Sequence, residues 1–339
     1  MLQAKSRNFL YLFSLTPGLF CLYGNLHGGW FTLGNTLYSL GFLAAIEWLS
    51  KPIGSNQATP KEDIIPQLIL MLHIPFQLAS IASLIYGIQS GIVSDIWIIQ
   101  AAISTGVNTG SSAIVVSHEL IHRKNKLENF FGRWLLFTAG NMYFFVDHLR
   151  VHHKWVGTAK DHATAQLNEN LYSFFLRSSL GQFKGAIQLE NERLKKEGKS
   201  NFLLNHYVYR QLILHAILDT CLFLYGGILL VAAWFLHCIV ANFLLEYVNY
   251  VQHYGLNRPE KSRVTEEHSW ESDLFVSRFV LVDLSRHADH HYYSSKPFHT
   301  LVNYENSPKM PSGYAGMFLI AAIPPFWFKM IHKKLNLIN

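Results

Sequence analysis

His287-Ala288-Asp289-His290-His291 sets three imidazoles at i, i+3 and i+4, the spacing at which side chains share one face of a helical turn. Two other stretches repeat the device. His118-Glu119-Leu120-Ile121-His122 places two histidines one turn apart, and His148-Leu149-Arg150-Val151-His152-His153 places three at i, i+4 and i+5. A ninth candidate, His253, stands in Asn249-Tyr250-Val251-Gln252-His253-Tyr254-Gly255-Leu256. Nine imidazoles in four clusters exceed what one tetrahedral zinc needs, whereas imidazole-rich sites with open positions suit iron or copper redox chemistry. Taken alone, His148, His152 and His153 beside Lys154 read as a solvated basic loop. The His287 trio resists that reading, because Asp289 lies inside it and three protonated imidazoles on one face would repel unless a metal held them neutral.

Around these clusters the chain is apolar. Of its 339 residues 50% are hydrophobic and 15% charged, with mean hydropathy +0.15, against about 25% charged in a typical soluble domain. Several runs reach the roughly 20 apolar residues that a bilayer crossing needs. They fall at about 9–23, 30–49, 67–88, 92–116, 212–226 and 228–248, the last two divided by Gly226-Gly227. The expected architecture is a single all-α integral membrane domain, 1–339, with six transmembrane helices and a histidine-rich cap formed mainly by 117–210 and 250–339. Lys5 and Arg7 before the first run fit a first membrane helix better than a cleaved signal. The stretch 130–146, interrupted by Arg133 and Gly140, is expected to lie at the interface or dip partway. Gly316 to Phe328, broken by Pro324-Pro325, reads as a surface-lying C-terminal helix.

The net charge of +6 and pI near 9.1 do not signal nucleic acid, since no basic stripe interleaved with aromatics is present. With both termini inside, the segments left outside are 24–29, 89–95 and the Gly226-Gly227 turn, and none of the 28 lysines and arginines falls there. That distribution orients the chain with its termini and all four histidine clusters on the cytosolic side. Cys21, Cys221 and Cys238 lie in apolar runs without metal-knuckle spacing, so the chain has no thiolate-metal module of its own. Dinucleotide and Walker fingerprints are also absent.

His118-Glu119-x-x-His122 also fits the zinc metalloprotease signature, with Glu119 as general base, yet it leaves six or more histidines at ligand spacing unexplained. A metal transporter would bind its ion near the bilayer midplane on broken helices, whereas these histidines stand at helix ends. His27, His73, His162, His206, His215, His237, His299 and His332 are scattered singly and read as packing residues. Metal-bound imidazoles usually donate their other N–H to a carboxylate or carbonyl, so Glu119, Asp147, Asp161, Glu246 and Asp289 are candidates to orient the ligands, and His268 is a candidate supporting or extra ligand. The second run offers small residues among large ones, Gly34, Ser39, Gly41 and Ala44, and Ser39 is the candidate wall residue of a substrate channel.

The set HELIHR, DHLRVHH, NYVQHYGL and SRHADHH closely resembles the membrane-bound alkane 1-monooxygenase and xylene monooxygenase family, within the histidine-rich fatty acid desaturases and hydroxylases. The likeness runs from about Gln67 to Phe328 and includes Pro308–Tyr314 and Ile323–Trp327. It implies a cytosolic di-iron site bound by His118, His122, His148, His152, His153, His253, His287, His290 and His291. It further implies O₂-dependent hydroxylation of the terminal methyl of an n-alkane, in the bacterial inner membrane, with electrons from a rubredoxin-type donor and its reductase. Asp147 and Val151 depart from the alkane pattern, as does Tyr292–Lys296, and Gln252 is more like the xylene branch. An aryl-methyl hydroxylase or a fatty acid desaturase therefore remains an alternative on the same scaffold.

Overall fold

The computed structural model describes residues 7–54, 63–200 and 202–336. Lys5 and most of the polar loop between Ser50 and Asp63 lie outside them. Among the described residues the chain is all-helical, and its nearest approach to a sheet is an isolated bridge between Glu271 and Lys309.

The first apolar run is α1 (Asn8–His27), which turns at Gly28 into α2, residues 29–49. α2 is broken by a 3-10 turn at Gly29–Leu33 and a π turn at Tyr38–Phe42. α3 (Ile64–Gln89) begins where Asp63 accepts a hydrogen bond from the Ile65 N–H at 3.0 Å, satisfying a donor that the first helical turn leaves free. α4, residues 96–121, carries a π turn at Thr109–Ala113. α5 (Lys126–Thr138) is capped by Asn125 through the Leu127 N–H at 2.9 Å. With 13 residues it rises only about 20 Å, too little to cross a hydrocarbon core of about 30 Å.

α6, residues 144–155, carries the π turn His148–His152 at its centre. α7 (Leu171–Lys196), capped by Asn170, is the charged surface helix. α8 (Tyr207–His253) has 47 residues, about 70 Å of rise and more than two membrane crossings. Gly227, at φ 68° and ψ −166°, divides it; that conformation is open to glycine and costly for other residues. Beyond it come α9 (His287–Tyr292), α10 (Tyr314–Ala322) and α11 (Pro324–Leu335). α1, α3 and α8 are long and apolar enough to cross a membrane.

α4 packs against α8 through Gly106 and Gly110, where a Cβ would stand 2.7 Å from the His237 carbonyl oxygen and 2.9 Å from Leu244. Gly-x-x-x-Gly is the spacing that lets membrane helices approach this closely. The main core joins Tyr11, Leu70, Val116, Tyr250, Trp270, Met317 and Trp327 from seven parts of the chain. Met317, Ala321, Trp327 and Ile331 are completely buried in it, so the C-terminal segment does not simply lie on the surface. It forms two helices that present Leu319 and Phe326 outward and plug the core with their other faces.

Candidate metal centre

His118 and His122 sit on the last turn of α4, and His253 is the final residue of α8. His148 and His152 come from the π turn and His153 directly follows it, while His287, His290 and His291 come from α9. These nine side chains form two adjoining groups. One is His118, His122, His148, His153 and His290, the other His152, His253, His287 and His291, and within each group the nitrogens lie within 4.8 Å of one another. The trios expected to converge in fact divide. His287 and His291 serve the four-histidine group while His290 turns to the five, and His152 parts from His148 and His153. Rings of the two groups stand as close as 4.6 Å, between His153 and His291.

The Nε2 atoms approach one another in pairs at 3.0 Å for His153–His148, 3.1 Å for His148–His122 and 3.0 Å for His291–His287. Two nitrogens at right angles about a metal, each about 2.1 Å from it, would lie about 3.0 Å apart. The Nε2 atoms of His118 and His152 are buried without any hydrogen-bond partner, a costly arrangement unless a cation takes their lone pairs. The donor set therefore fits two metal ions.

Burial, and then the neighbouring imidazoles, push His148, His153, His287, His290 and His291 well below the usual histidine value. Burial and His152 bring His122 down to about 3. All are neutral, as metal binding requires.

The candidate supporting residues separate by geometry. Asp161 accepts the Nδ1–H of His152 at 2.9 Å. Burial raises its carboxyl, but His152 and Thr164 outweigh this and hold it below the usual carboxylate range. His268 contributes its backbone carbonyl, which accepts the Nδ1–H of His253 at 2.9 Å, while its ring turns away to the Thr265 backbone and hydroxyl. The other four touch no ligand ring. Glu119 pairs with Arg123 at 2.5 Å and accepts from the Phe298 N–H. Glu246 is held by Gln182 and Asn249. Asp289 accepts from the Val302 N–H and the Tyr304 hydroxyl and pairs with Lys296, bracing the following loop. Asp147 is buried with both oxygens unpartnered, and burial, then Asp161 and Glu246, push its carboxyl well up, so it is neutral.

Five residues that sequence reasoning missed anchor the third motif. Arg278 donates to Asp283 at 2.7 Å, Arg286 pairs with Asp273 at 3.0 Å, and the Tyr11 hydroxyl donates to Asp283. This buried network holds Val282 and Asp283 at φ 54° and 51°, a region that a β-branched residue avoids unless its surroundings force it. Arg286 immediately precedes His287, a proximity visible in the sequence, whereas its partner Asp273 stands 13 residues away.

A narrow apolar cavity of about 60 Å³ lies among α2, α4, α8 and α10, and Ser39, Leu43, Tyr247 and Phe318 are in its wall. A second, of about 20 Å³, shares Gly110, Val115 and Val248 with the first and ends on His118, His148 and His287. Phe144, stacked on His148 at 4.5 Å, forms part of its wall. The shared wall makes the two cavities adjoin.

Comparison with known proteins agrees with this site. Residues 94–321 match the fatty acid desaturase family. An alkane 1-monooxygenase of Acinetobacter baylyi is 32% identical over 295 residues, covering 83% of this chain and 72% of the relative. Alkane 1-monooxygenase 2 of Pseudomonas aeruginosa is 38% identical over 244 residues, covering 69% and 63%. The hydroxylase component XylM of a Pseudomonas putida xylene/toluene monooxygenase is 28% identical over 317 residues, covering 92% and 84%. The second of these matches thus spans under two thirds of the relative's length. The chain belongs to the fatty acid desaturase family and, within it, to the group of the alkane 1-monooxygenases and xylene monooxygenases.

Proposed function

We propose that the chain is an integral-membrane di-iron monooxygenase that hydroxylates the terminal methyl group of n-alkanes. The reaction consumes O₂, two electrons and two protons, and yields the 1-alcohol and water. The observation that carries this reading is the pair of adjoining apolar cavities between the helices, the inner one ending on His118, His148 and His287. In this reading α1, α2, α3, α4 and the two halves of α8 make six crossings of the bacterial inner membrane, with termini and histidines cytosolic, in keeping with the lysine and arginine distribution.

All nine histidines would hold the two irons, whose contribution when bound is the activation of O₂. The chain's own work is placement. An alkane concentrates among lipid tails, and a narrow passage entered from the bilayer delivers it end-on, methyl first. The C–H bond at position two is the weaker one, so selectivity for position one comes from confinement. The walls also keep water from the site. Ser39 lines the outer cavity and would set the length of chain accepted.

Electrons come from a separate small acidic iron–sulfur protein of the rubredoxin type with its reductase, because this chain has no flavin, nicotinamide or thiolate-metal motif. Basic residues on the cytosolic face would steer it, and such steering weakens with ionic strength. The second reading, an aryl-methyl hydroxylase, is favoured by Gln252 and by the match to XylM. Purified protein supplied with rubredoxin, reductase and NADH is tested on an alkane series and on p-xylene, with products identified by gas chromatography. Predominant 1-alcohols support the proposal, predominant 2-alcohols overturn the confinement argument, and turnover of xylene without alkanes moves the protein to the second reading.

A further inference from the structure

A groove of about 480 Å³ runs between α5 and the first half of α8, and none of the nine histidines lines it. Along α8 its floor is Gln211, Leu214, Leu218 and Cys221, spaced i, i+3, i+7 and i+10 on one helix face. Ten residues rise about 15 Å, half of a hydrocarbon core of about 30 Å, which is one leaflet. The groove is therefore as long as the acyl region of a single lipid.

Its polar end is cationic. Arg133 lies over the Phe145 ring at 5.4 Å, the Phe145 and Tyr207 rings stand 5.5 Å apart, and Arg210 lies 5.9 Å from the Tyr207 ring. Two guanidinium groups thus flank one aromatic pair at the mouth of an apolar groove. Neither forms an ion pair among the described residues, and their hydrogen bonds there are single long contacts, from Arg133 to the Asn129 carbonyl at 3.4 Å and from Arg210 to the Leu204 carbonyl at 3.5 Å. Glu190, on the neighbouring α7, is already taken by Arg150 and Arg193.

We propose that this groove is a binding site for one anionic phospholipid, its headgroup facing the positive charge of Arg133 in the groove and of Arg210 beside Tyr207, and one acyl chain lying along Leu214, Leu218 and Cys221. Charge decides the lipid class. A zwitterionic headgroup would bring its ammonium to two arginines with no free carboxylate beside them, whereas a net-negative headgroup meets only compensating charge. Because Phe145 stands three residues before His148, an occupied site also braces the helix that carries His148, His152 and His153. The proposal does not depend on which hydrocarbon the metal centre oxidises.

The test is native mass spectrometry of the full chain released from nanodiscs containing equal amounts of phosphatidylglycerol and phosphatidylcholine. The wild type is expected to retain one phosphatidylglycerol in preference to phosphatidylcholine. An arginine near a membrane surface is worth about fivefold in binding, so Arg133→Gln with Arg210→Gln should weaken retention by about thirtyfold. Leu218→Trp, which fills the groove and leaves both charges, should also lose the adduct, while Lys184→Gln on α7 should keep it. Equal retention of the two lipids by the wild type would overturn the proposal without any variant. So would undiminished phosphatidylglycerol retention in the double variant.

Discussion

The Nδ1–H of His152 donates to Oδ2 of Asp161 at 2.9 Å, with both side chains almost completely buried. A carboxylate in that position fixes the ring and its tautomer, leaves Nε2 free to bind, and places negative charge beside the four-histidine group. Among the described residues the five-histidine group has no equivalent contact to a carboxylate. Asp161→Asn keeps the shape and removes the charge, and losses of this kind weaken metal binding by about 10- to 100-fold. Metal retained per chain after dialysis against graded chelator should fall accordingly; retention equal to the wild type would remove Asp161 from the support of the site.

Ser39 faces a cavity of only about 60 Å³, and its hydroxyl donates to Asn35 Oδ1 at 2.8 Å. Ser39→Trp adds an indole to the wall, so the longest alkane hydroxylated should shorten while metal content stays at the wild-type level. Gas chromatography across a chain-length series reads this out. An unchanged upper limit would mean that the substrate does not pass Ser39.

Acid should destabilise the protein. His122 is brought down to about 3 in the folded chain, against about 6.5 for an unperturbed histidine. Below about pH 6.5 the unfolded state therefore holds protons that the folded state refuses, and stability falls as pH falls, by up to about 1.4 kcal/mol per pH unit for each such histidine. His148, His153, His287, His290 and His291, held down by burial and by one another, act in the same direction. Thermal unfolding should be nearly flat above pH 7 and drop steeply from pH 6.5 towards 5, with metal release alongside. A midpoint that rose on acidification would contradict neutral imidazoles in the folded site.

Much of this was legible in the sequence because the nine histidines lie at helical spacings and at the ends of apolar runs. The break at Gly226-Gly227 and the caps at Asp63 and Asn125 follow from local chemistry in the same way. The π turn at His148–His152 was not legible, and it sends neighbouring histidines to different groups. Proximity along the chain singled out both Asp147 and Asp161, but only the loop that folds Asp161 back onto His152 distinguishes them. His268 was selected for its ring and serves through its carbonyl, so His268→Ala should impair the protein less than a ligand-supporting side chain would. Tyr11 joins the Arg278–Asp283 pair from 272 residues away, too far for any local pattern, while Gly106-x-x-x-Gly110 was present as a motif and is explained by its contact with α8.

The central claim is a centre of two irons held by nine histidines. Its most direct test is the metal content of the purified full chain, measured by inductively coupled plasma mass spectrometry with Mössbauer spectra of iron-57 protein, in the wild type and in His253→Ala. The account predicts two irons per chain in the wild type, a smaller content in His253→Ala, and two iron environments in the spectra. One zinc per chain, or a full complement of two irons in His253→Ala, would contradict it.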